Sequence, residues 1–129
     1  MTNKLIAAGC IMCALAVALG AFGAHALKQA IEPNLMDTWR TATTYLMFHG
    51  VAVIALSSLA TRFHSKNFVA PTIGIVIGAL LFCGSLFAIV LGAPSAIGAI
   101  TPIGGALWIA CWLTLSYRFF KSTNVISHD

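Results

Sequence analysis

The stretch Phe68–Leu91 reads FVAPTIGIVIGALLFCGSLFAIVL and contains no charged residue. A helix needs roughly 20 predominantly apolar residues to cross a hydrocarbon core about 30 Å thick. Inside lipid, a helix can satisfy all of its backbone hydrogen bonds within its own segment. The stretch therefore predicts a membrane-spanning helix.

Three further stretches have the same character: Leu5–Ala26, Thr41–Ala60 and Pro102–Phe120. The whole chain has 129 residues, of which 60% are hydrophobic and 8% are charged. A soluble domain of this size cannot bury so much apolar surface, because small domains expose a large share of their chain. The sequence predicts one all-α integral membrane domain over residues 1–129, a four-helix bundle surrounded by membrane lipids.

The basic residues predict the orientation of the bundle. Five of them belong to the N-terminus, the second connection and the C-terminus, namely Lys4, Arg62, Lys66, Arg118 and Lys121. The first connection holds Lys28 and Arg40 beside Glu32 and Asp37. Positive residues favour the cytoplasmic side, so both termini are expected there (N-in, C-in). The basic residues are scattered singly, which argues against a nucleic-acid partner.

The N-terminus allows two interpretations. Lys4, the following apolar run and Ala24-His25-Ala26 resemble a cleavable signal peptide. The run Leu5–Phe22 is longer than the usual apolar region of such a peptide, so we expect it to stay as a helix. Cys10 and Cys13 have redox-motif spacing but lie in an apolar helix, and we interpret them as small packing residues on one helix face.

Small and polar residues predict how the helices pack. Ala16, Gly20 and Ala24 recur every four residues, as do Gly74 and Gly78, and such rows let helices approach closely in lipid. We also expect interhelical hydrogen bonds from Ser57, Ser58 and Ser85. In the first connection, Pro33 is expected to interrupt any helix and Asp37 to cap the second span. Trp39 is expected at the membrane surface.

Polar or backbone-exposing residues of all four spans are predicted to meet in the outer half of the bundle. This hypothetical binding zone consists of His25, Trp39, Tyr45, His49, Ser85, Gly104 and Gly105. His49 is its central member, because an ionisable residue within a span usually faces a bundle interior or a wet cavity. It has two interpretations, a ligand-binding residue or a packing hydrogen bond, for instance to Tyr45, Ser85 or the backbone of the fourth span, and we favour the second.

Most catalytic and cofactor chemistry finds no support in these residues. A metal site needs more ligands than His25 and His49, and the two lie at different depths for a haem. Ser85 and His49 have no orienting acid within the membrane. Four short helices with one histidine cannot line a continuous channel. We therefore predict no catalytic residue, no metal and no cofactor.

Several motifs carry a resemblance to a known family. They are Gly20-Ala-Phe-Gly-Ala-His-Ala-Leu27, Trp39 with Tyr45 and His49, Phe82-Cys-Gly-Ser-Leu-Phe87, and Thr101-Pro-Ile-Gly-Gly105 followed by Trp112. Together they resemble domain-of-unknown-function family 423 of small bacterial inner-membrane proteins, and they are similar to the eukaryotic transmembrane protein 256 group. Cys83 and Phe87 stand where that family often has serine and tyrosine, which weakens a hydroxyl-based role there.

The resemblance implies four spans, a place in the bacterial inner membrane and no established activity. From it and from the residues we predict a non-catalytic structural or accessory protein that packs against itself or another membrane protein. The alternative is a binder or transporter of a small lipophilic molecule that uses the outer polar zone. We expect His49→Leu to insert normally, because it removes a polar group from a span.

Overall fold

The computed structural model describes residues 1–62 and 66–126, and these form helices and short connections without a strand. Helix α1 covers Thr2–Phe22 and runs on into a π-helical turn at Gly23–Leu27. Helices α2, α3 and α4 cover Pro33–Arg62, Val69–Val90 and Thr101–Ile126. Short 3₁₀ turns at Lys66–Phe68 and Ser95–Ala99 precede α3 and α4. All four helices are long and apolar enough to cross a membrane, which confirms the predicted all-α, four-helix membrane fold.

Helix α2 begins earlier than the sequence analysis expected. Pro33 is its first residue and does not interrupt it. Proline suits the first helical position, where its missing N–H has no intrahelical acceptor and its fixed φ is already helical. The predicted capping role of Asp37 is therefore wrong, and its carboxylate instead lies 3.4 Å from the Arg40 guanidinium one turn later.

Consecutive helices pack against each other in antiparallel pairs. The extensive backbone contacts are those of α1 with α2, α2 with α3, and α3 with α4. Gly50 and Ile54 of α2 face α1, whereas Tyr45 and His49 of α2 meet aromatic rings of α4. Helix α1 and helix α4 thus use different faces of α2. The main core lies where α2 and α3 meet, around the fully buried Val53 and Ile75.

The two predicted rows of small residues have different outcomes. Gly74 packs against the Cys111 sulfur and Gly78 against the Trp108 ring. A neighbouring helix, α4, therefore approaches this row closely, which is the role predicted for it. Of the row Ala16, Gly20 and Ala24, only Ala16 is buried, since Ala24 is exposed and a Cβ at Gly20 would meet no atom within 4 Å.

The close contact of α1 with α2 lies elsewhere than the predicted row. A Cβ at Gly9 would stand 2.8 Å from the Gly50 carbonyl oxygen, and one at Gly50 would stand 2.8 Å from the Cys13 sulfur. Cys13 is therefore a packing residue as predicted, whereas Cys10 is exposed on the outer surface of α1, contrary to the shared-face interpretation. All four cysteines are free thiols.

Candidate functional site

His49 lies at the centre of a cluster of aromatic rings contributed by three helices. Its imidazole stacks on the Trp108 indole with ring centroids 3.6 Å apart and an interplanar angle of 6°. Tyr45, one turn earlier on α2, lies over both rings, and Phe82 of α3 packs against Tyr45 and Trp108. The histidine is 8% exposed and Tyr45 is 45% exposed, so the tyrosine shields the histidine from the surroundings of the bundle.

Both nitrogens of His49 are within hydrogen-bonding range of specific groups. The Trp112 indole N–H points at Nε2 across 3.4 Å, and Nδ1 lies 2.8 Å from the Tyr45 carbonyl oxygen. An indole nitrogen can only donate, so Nε2 is the acceptor and Nδ1 carries the proton of the neutral ring. Tyr45 is thus a partner through its backbone and its ring, as the packing interpretation allows. The hydrogen-bonding partners of His49 are thus the Tyr45 carbonyl and the Trp112 indole, and not Ser85 or the α4 backbone.

Ser85 instead joins α3 to the start of α4. Its hydroxyl oxygen lies 2.6 Å from the Thr101 hydroxyl and 2.9 Å from the Phe82 carbonyl oxygen. Since a serine has a single O–H donor and a carbonyl can only accept, Ser85 donates to Phe82 and Thr101 donates to Ser85. This is an interhelical bond of the predicted kind. The other two serines do not form one: Ser58 donates to the Ile54 carbonyl of its own helix, and the buried Ser57 hydroxyl has no partner among the described residues.

Trp39 lies inside the protein, packed between helices. Only 2% of it is exposed, and its indole N–H donates to the Leu19 carbonyl oxygen at 2.8 Å. Its ring contacts Phe87 edge-on, with ring centroids 4.7 Å apart. Gly23 makes this position possible, because a Cβ there would stand 2.6 Å from the indole. The π-helical turn starts at the same glycine, and such turns insert one extra residue into a helix.

The two glycines at the start of α4 differ in their surroundings. Gly104 lies against the α3 backbone, where a Cβ would stand 2.6 Å from the Phe82 nitrogen and 2.9 Å from the Gly78 oxygen. A Cβ at Gly105 would lie 3.6 Å from the Phe82 ring, which is an ordinary contact. Gly104 therefore sets the distance between α3 and α4, and it does not expose backbone to a ligand.

The structure thus places the residues of the predicted outer zone in several different surroundings. Trp39 packs where α1 ends, Ser85 and Gly104 hold the start of α4, and His25 is exposed on the π-helical turn. His49 lies 16 residues after the start of α2 and 13 before its end, which is about 24 Å and about 20 Å along the axis. It is therefore near the middle of the helix. Of the predicted residues, Tyr45 and His49 contribute rings to one cluster, and Gly104 and Gly105 lie beside its Phe82.

The predicted zone does not include Trp108 and Trp112, which complete the arrangement around His49. Each of the three tryptophans donates its indole N–H to another helix: Trp39 to α1, Trp108 to the Ile75 carbonyl of α3 at 2.9 Å, and Trp112 to His49 of α2. Their spacing does not reveal this, although a tryptophan buried in lipid needs an acceptor for its N–H. The available signal was the presence of Trp108 and Trp112 within an apolar span, away from its ends.

Grooves also open on the described surface away from these polar residues. An apolar groove of about 310 Å³ lies between α1 and α3, with Leu46 of α2 and Gly84 of α3 among its lining residues. A second, of about 240 Å³, lies between α3 and α4 and extends to Arg118. A third, of about 190 Å³, is lined by residues from Lys28 to Arg40. Among the described residues, no three His, Cys, Asp or Glu side chains are grouped as metal ligands would be.

Comparison with known proteins places this architecture in a family. Residues 19–105 match the family model described as "Protein of unknown function (DUF423)". The chain belongs to the DUF423 family. This confirms the resemblance drawn from the motifs. The DUF423 match includes every residue of the predicted zone, from His25 to Gly105, and ends before Trp108 and Trp112.

Curated relatives are named membrane proteins. A UPF0382 membrane protein of Haemophilus influenzae is 38% identical over 97% of this chain and 100% of its own length. One of Staphylococcus saprophyticus is 39% identical over 88% of this chain and 93% of its own. One of the yeast Schizosaccharomyces pombe is 35% identical over 78% of this chain and 88% of its own. No solved structure matches. The protein is thus a membrane protein of a family without an assigned activity.

Proposed function

We propose that the protein is a non-catalytic structural component of the bacterial inner membrane that acts by packing against a second copy or another membrane protein. The observation that supports this most directly is the use of the polar groups within the spans. The indoles of Trp39 and Trp108 and the hydroxyls of Ser85 and Thr101 are engaged between helices. These residue types hold the helices together in this fold, which is the expected use of polar residues in lipid.

The surroundings of His49 also favour a role without catalysis. A general base needs a free nitrogen within reach of the proton that it removes. Here Nδ1 faces a carbonyl oxygen and Nε2 faces an indole N–H, while rings cover the imidazole. The described carboxylates, Glu32 and Asp37, precede His49 by at least 12 residues, about 18 Å along α2.

The apolar surface supplies the proposed contact with a partner. Ile11 and Leu80 line the groove between α1 and α3 and are 60% and 72% exposed. Helix association in lipid gains its energy from close packing, and a groove of this shape offers more contact than a smooth surface. A partner helix seated between α1 and α3 would cover both residues.

Crosslinking in living cells tests this proposal. A photoreactive amino acid is placed at Ile11 or Leu80, and at Leu113 of α4 as the control, which is 65% exposed outside the groove. We expect protein adducts from the first two positions and none from the third. Monomer alone at all three positions, together with a monomer in mild detergent, would contradict the proposal.

Two glycines provide a matched pair of variants for the same groove. A Cβ at Gly84 or at Gly20 would meet no atom within 4 Å, so we expect the fold to accept a leucine at either position. Only Gly84 lines the groove. We expect Gly84→Leu to abolish the adducts from Leu80 and Gly20→Leu to preserve them.

The proposed orientation, with both termini in the cytoplasm, rests on charge. Lys4 lies in the first turn of α1 and Arg62 is the last residue of α2. Arg118 and Lys121 belong to the last turns of α4. Because neighbouring helices are antiparallel, these four basic residues lie at one end of the bundle. Fusion of a reporter that is active only in the periplasm, at residue 129 or after Leu91, tests this. We expect activity only after Leu91, and the opposite result would reverse the orientation.

The groove between α1 and α3 also favours a second candidate function, the binding of a small lipophilic molecule. Its walls are almost wholly apolar and its volume of about 310 Å³ falls within the range of small-molecule sites. This moves the alternative from the polar zone to the groove between α1 and α3. Solvent extraction of protein purified from native membranes tests it: a defined molecule that Gly84→Leu loses and Gly20→Leu retains would support binding, and ordinary phospholipid alone would not.

A further inference from the structure

The groove between α3 and α4 combines two features that suit one class of ligand. Small and apolar residues line most of it, among them Ala70, Gly74 and Ala110. The half-buried Arg118 of α4 stands at its end, and its position follows Leu107, at the other end of the groove, by 11 residues. That separation is about 16 Å along the helix, so the groove runs from the charged end of the bundle into the hydrocarbon region.

Arg118 is held in place at the mouth of the groove. Its guanidinium donates to the backbone carbonyl of Asn67, the residue two positions before α3. A guanidinium presents several N–H donors in a fixed plane that matches phosphate oxygens. Because the bond to Asn67 restrains the side chain, less side-chain freedom is lost when a phosphate binds.

The charge around Arg118 is positive. Lys121 follows it by one turn and is exposed, and Arg62 is exposed at the end of α2. Among the described residues the acidic side chains are Glu32 and Asp37, and both belong to the other end of the bundle. An anionic headgroup is therefore attracted to this end by every described charge near it.

We propose that the groove between α3 and α4 binds one anionic phospholipid, with an acyl chain along Gly74 and Ala110 and the phosphate at Arg118. The proposal needs both parts, the apolar groove and the fixed cation. It does not depend on the partner or on the orientation proposed above, because each leaflet supplies phosphates at its own surface.

The test measures lipid binding to the purified full chain in a nonionic detergent by native mass spectrometry. Phosphatidylglycerol and phosphatidylcholine with identical acyl chains are compared. One basic residue near a membrane surface contributes about 1 kcal/mol, which corresponds to about fivefold in affinity. We expect the wild type to prefer phosphatidylglycerol and Arg118→Gln to lose about fivefold of that affinity. Lys4→Gln removes the same charge from α1, which does not line the groove, and should change the affinity less than twofold.

A second variant tests the groove independently of charge. Ala110 is exposed to the groove, so Ala110→Leu adds a side chain there without removing a cation. We expect it to weaken both lipids, and its result stands even if Arg118→Gln fails to fold because the bond to Asn67 is lost. The proposal is overturned if the wild type binds both lipids equally, or if Lys4→Gln and Arg118→Gln have the same effect. If glycerol phosphate binds as tightly as the lipid, the acyl chain contributes nothing to binding, and the proposed role of the groove is wrong.

Discussion

The packing of α4 on α3 can be tested with the same substitution at two adjacent residues, Gly104→Ala and Gly105→Ala. Both residues lie in the first turns of α4, so any gain in helix propensity, at most about 1 kcal/mol, is common to the two variants. Their surroundings differ. The new Cβ at Gly104 would stand 2.6 Å from a backbone nitrogen of α3, whereas that at Gly105 would stand 3.6 Å from a ring.

The magnitude follows from these distances. Carbon atoms in good contact are roughly 3.5–4.0 Å apart, so α4 must move away from α3 by about 1 Å to accept alanine at Gly104. Such overpacking costs about 1–3 kcal/mol. The movement also stretches the bonds one turn to either side, Thr101 to Ser85 at 2.6 Å and Trp108 to Ile75 at 2.9 Å. We expect Gly104→Ala to be less stable than Gly105→Ala by about 1–3 kcal/mol.

The assay is reversible unfolding in mixed micelles with increasing sodium dodecyl sulfate, followed by tryptophan fluorescence. Trp108 reports the contact directly, since it packs on Gly78 opposite Gly104. Equal unfolding free energies for the two variants, or a less stable Gly105→Ala, would refute the close approach of α3 and α4 at Gly104. We also expect the unfolding midpoint of Gly105→Ala to equal or exceed that of the wild type.

Three further predictions concern the hydrogen bonds between helices. Trp39→Phe should lower the unfolding free energy by about 0.6–1.7 kcal/mol in the same titration, because it removes the N–H that donates to the Leu19 carbonyl. An unchanged unfolding free energy would show that this hydrogen bond does not stabilise the fold. Ser85→Ala and Thr101→Val should show a coupling of about 0.6 kcal/mol in a double-mutant cycle, and purely additive effects would contradict the 2.6 Å contact. His49→Leu should reach the membrane in wild-type amounts, as fractionation will show, and yet unfold earlier, since it loses the stack on Trp108; failure to accumulate would instead make His49 essential for folding.

The four helices were predictable because the length of an apolar run decides whether it can span a membrane. The predicted stretch Thr41–Ala60 lies inside a helix that begins at Pro33, and the proline itself was the missed signal for that start. The pairing of faces was harder to predict. Helices α1 and α3 are apolar on nearly all sides, so periodicity does not mark the buried face, and the row through Gly20 was chosen in place of Gly9.

The candidate site shows the same limit for polar residues. Their positions in the chain correctly placed Tyr45 and His49 on one face. Sequence cannot say which group on another helix accepts or donates each bond, because that depends on helix rotation and depth. Trp39 illustrates this, since its position in the chain does not reveal that Gly23 leaves room for its ring or that Leu19 accepts its N–H.

The placement of polar groups bears on where any partner or ligand can act. In lipid a polar atom without a partner is costly, so a side chain that already bonds across helices is a poor candidate for binding a further group. Trp39, Ser85 and Trp108 meet that condition. Recognition must then come from shape within the hydrocarbon region and from charge at the ends. The apolar groove of α1 and α3 and the groove that ends at Arg118 are where the structure offers these two features.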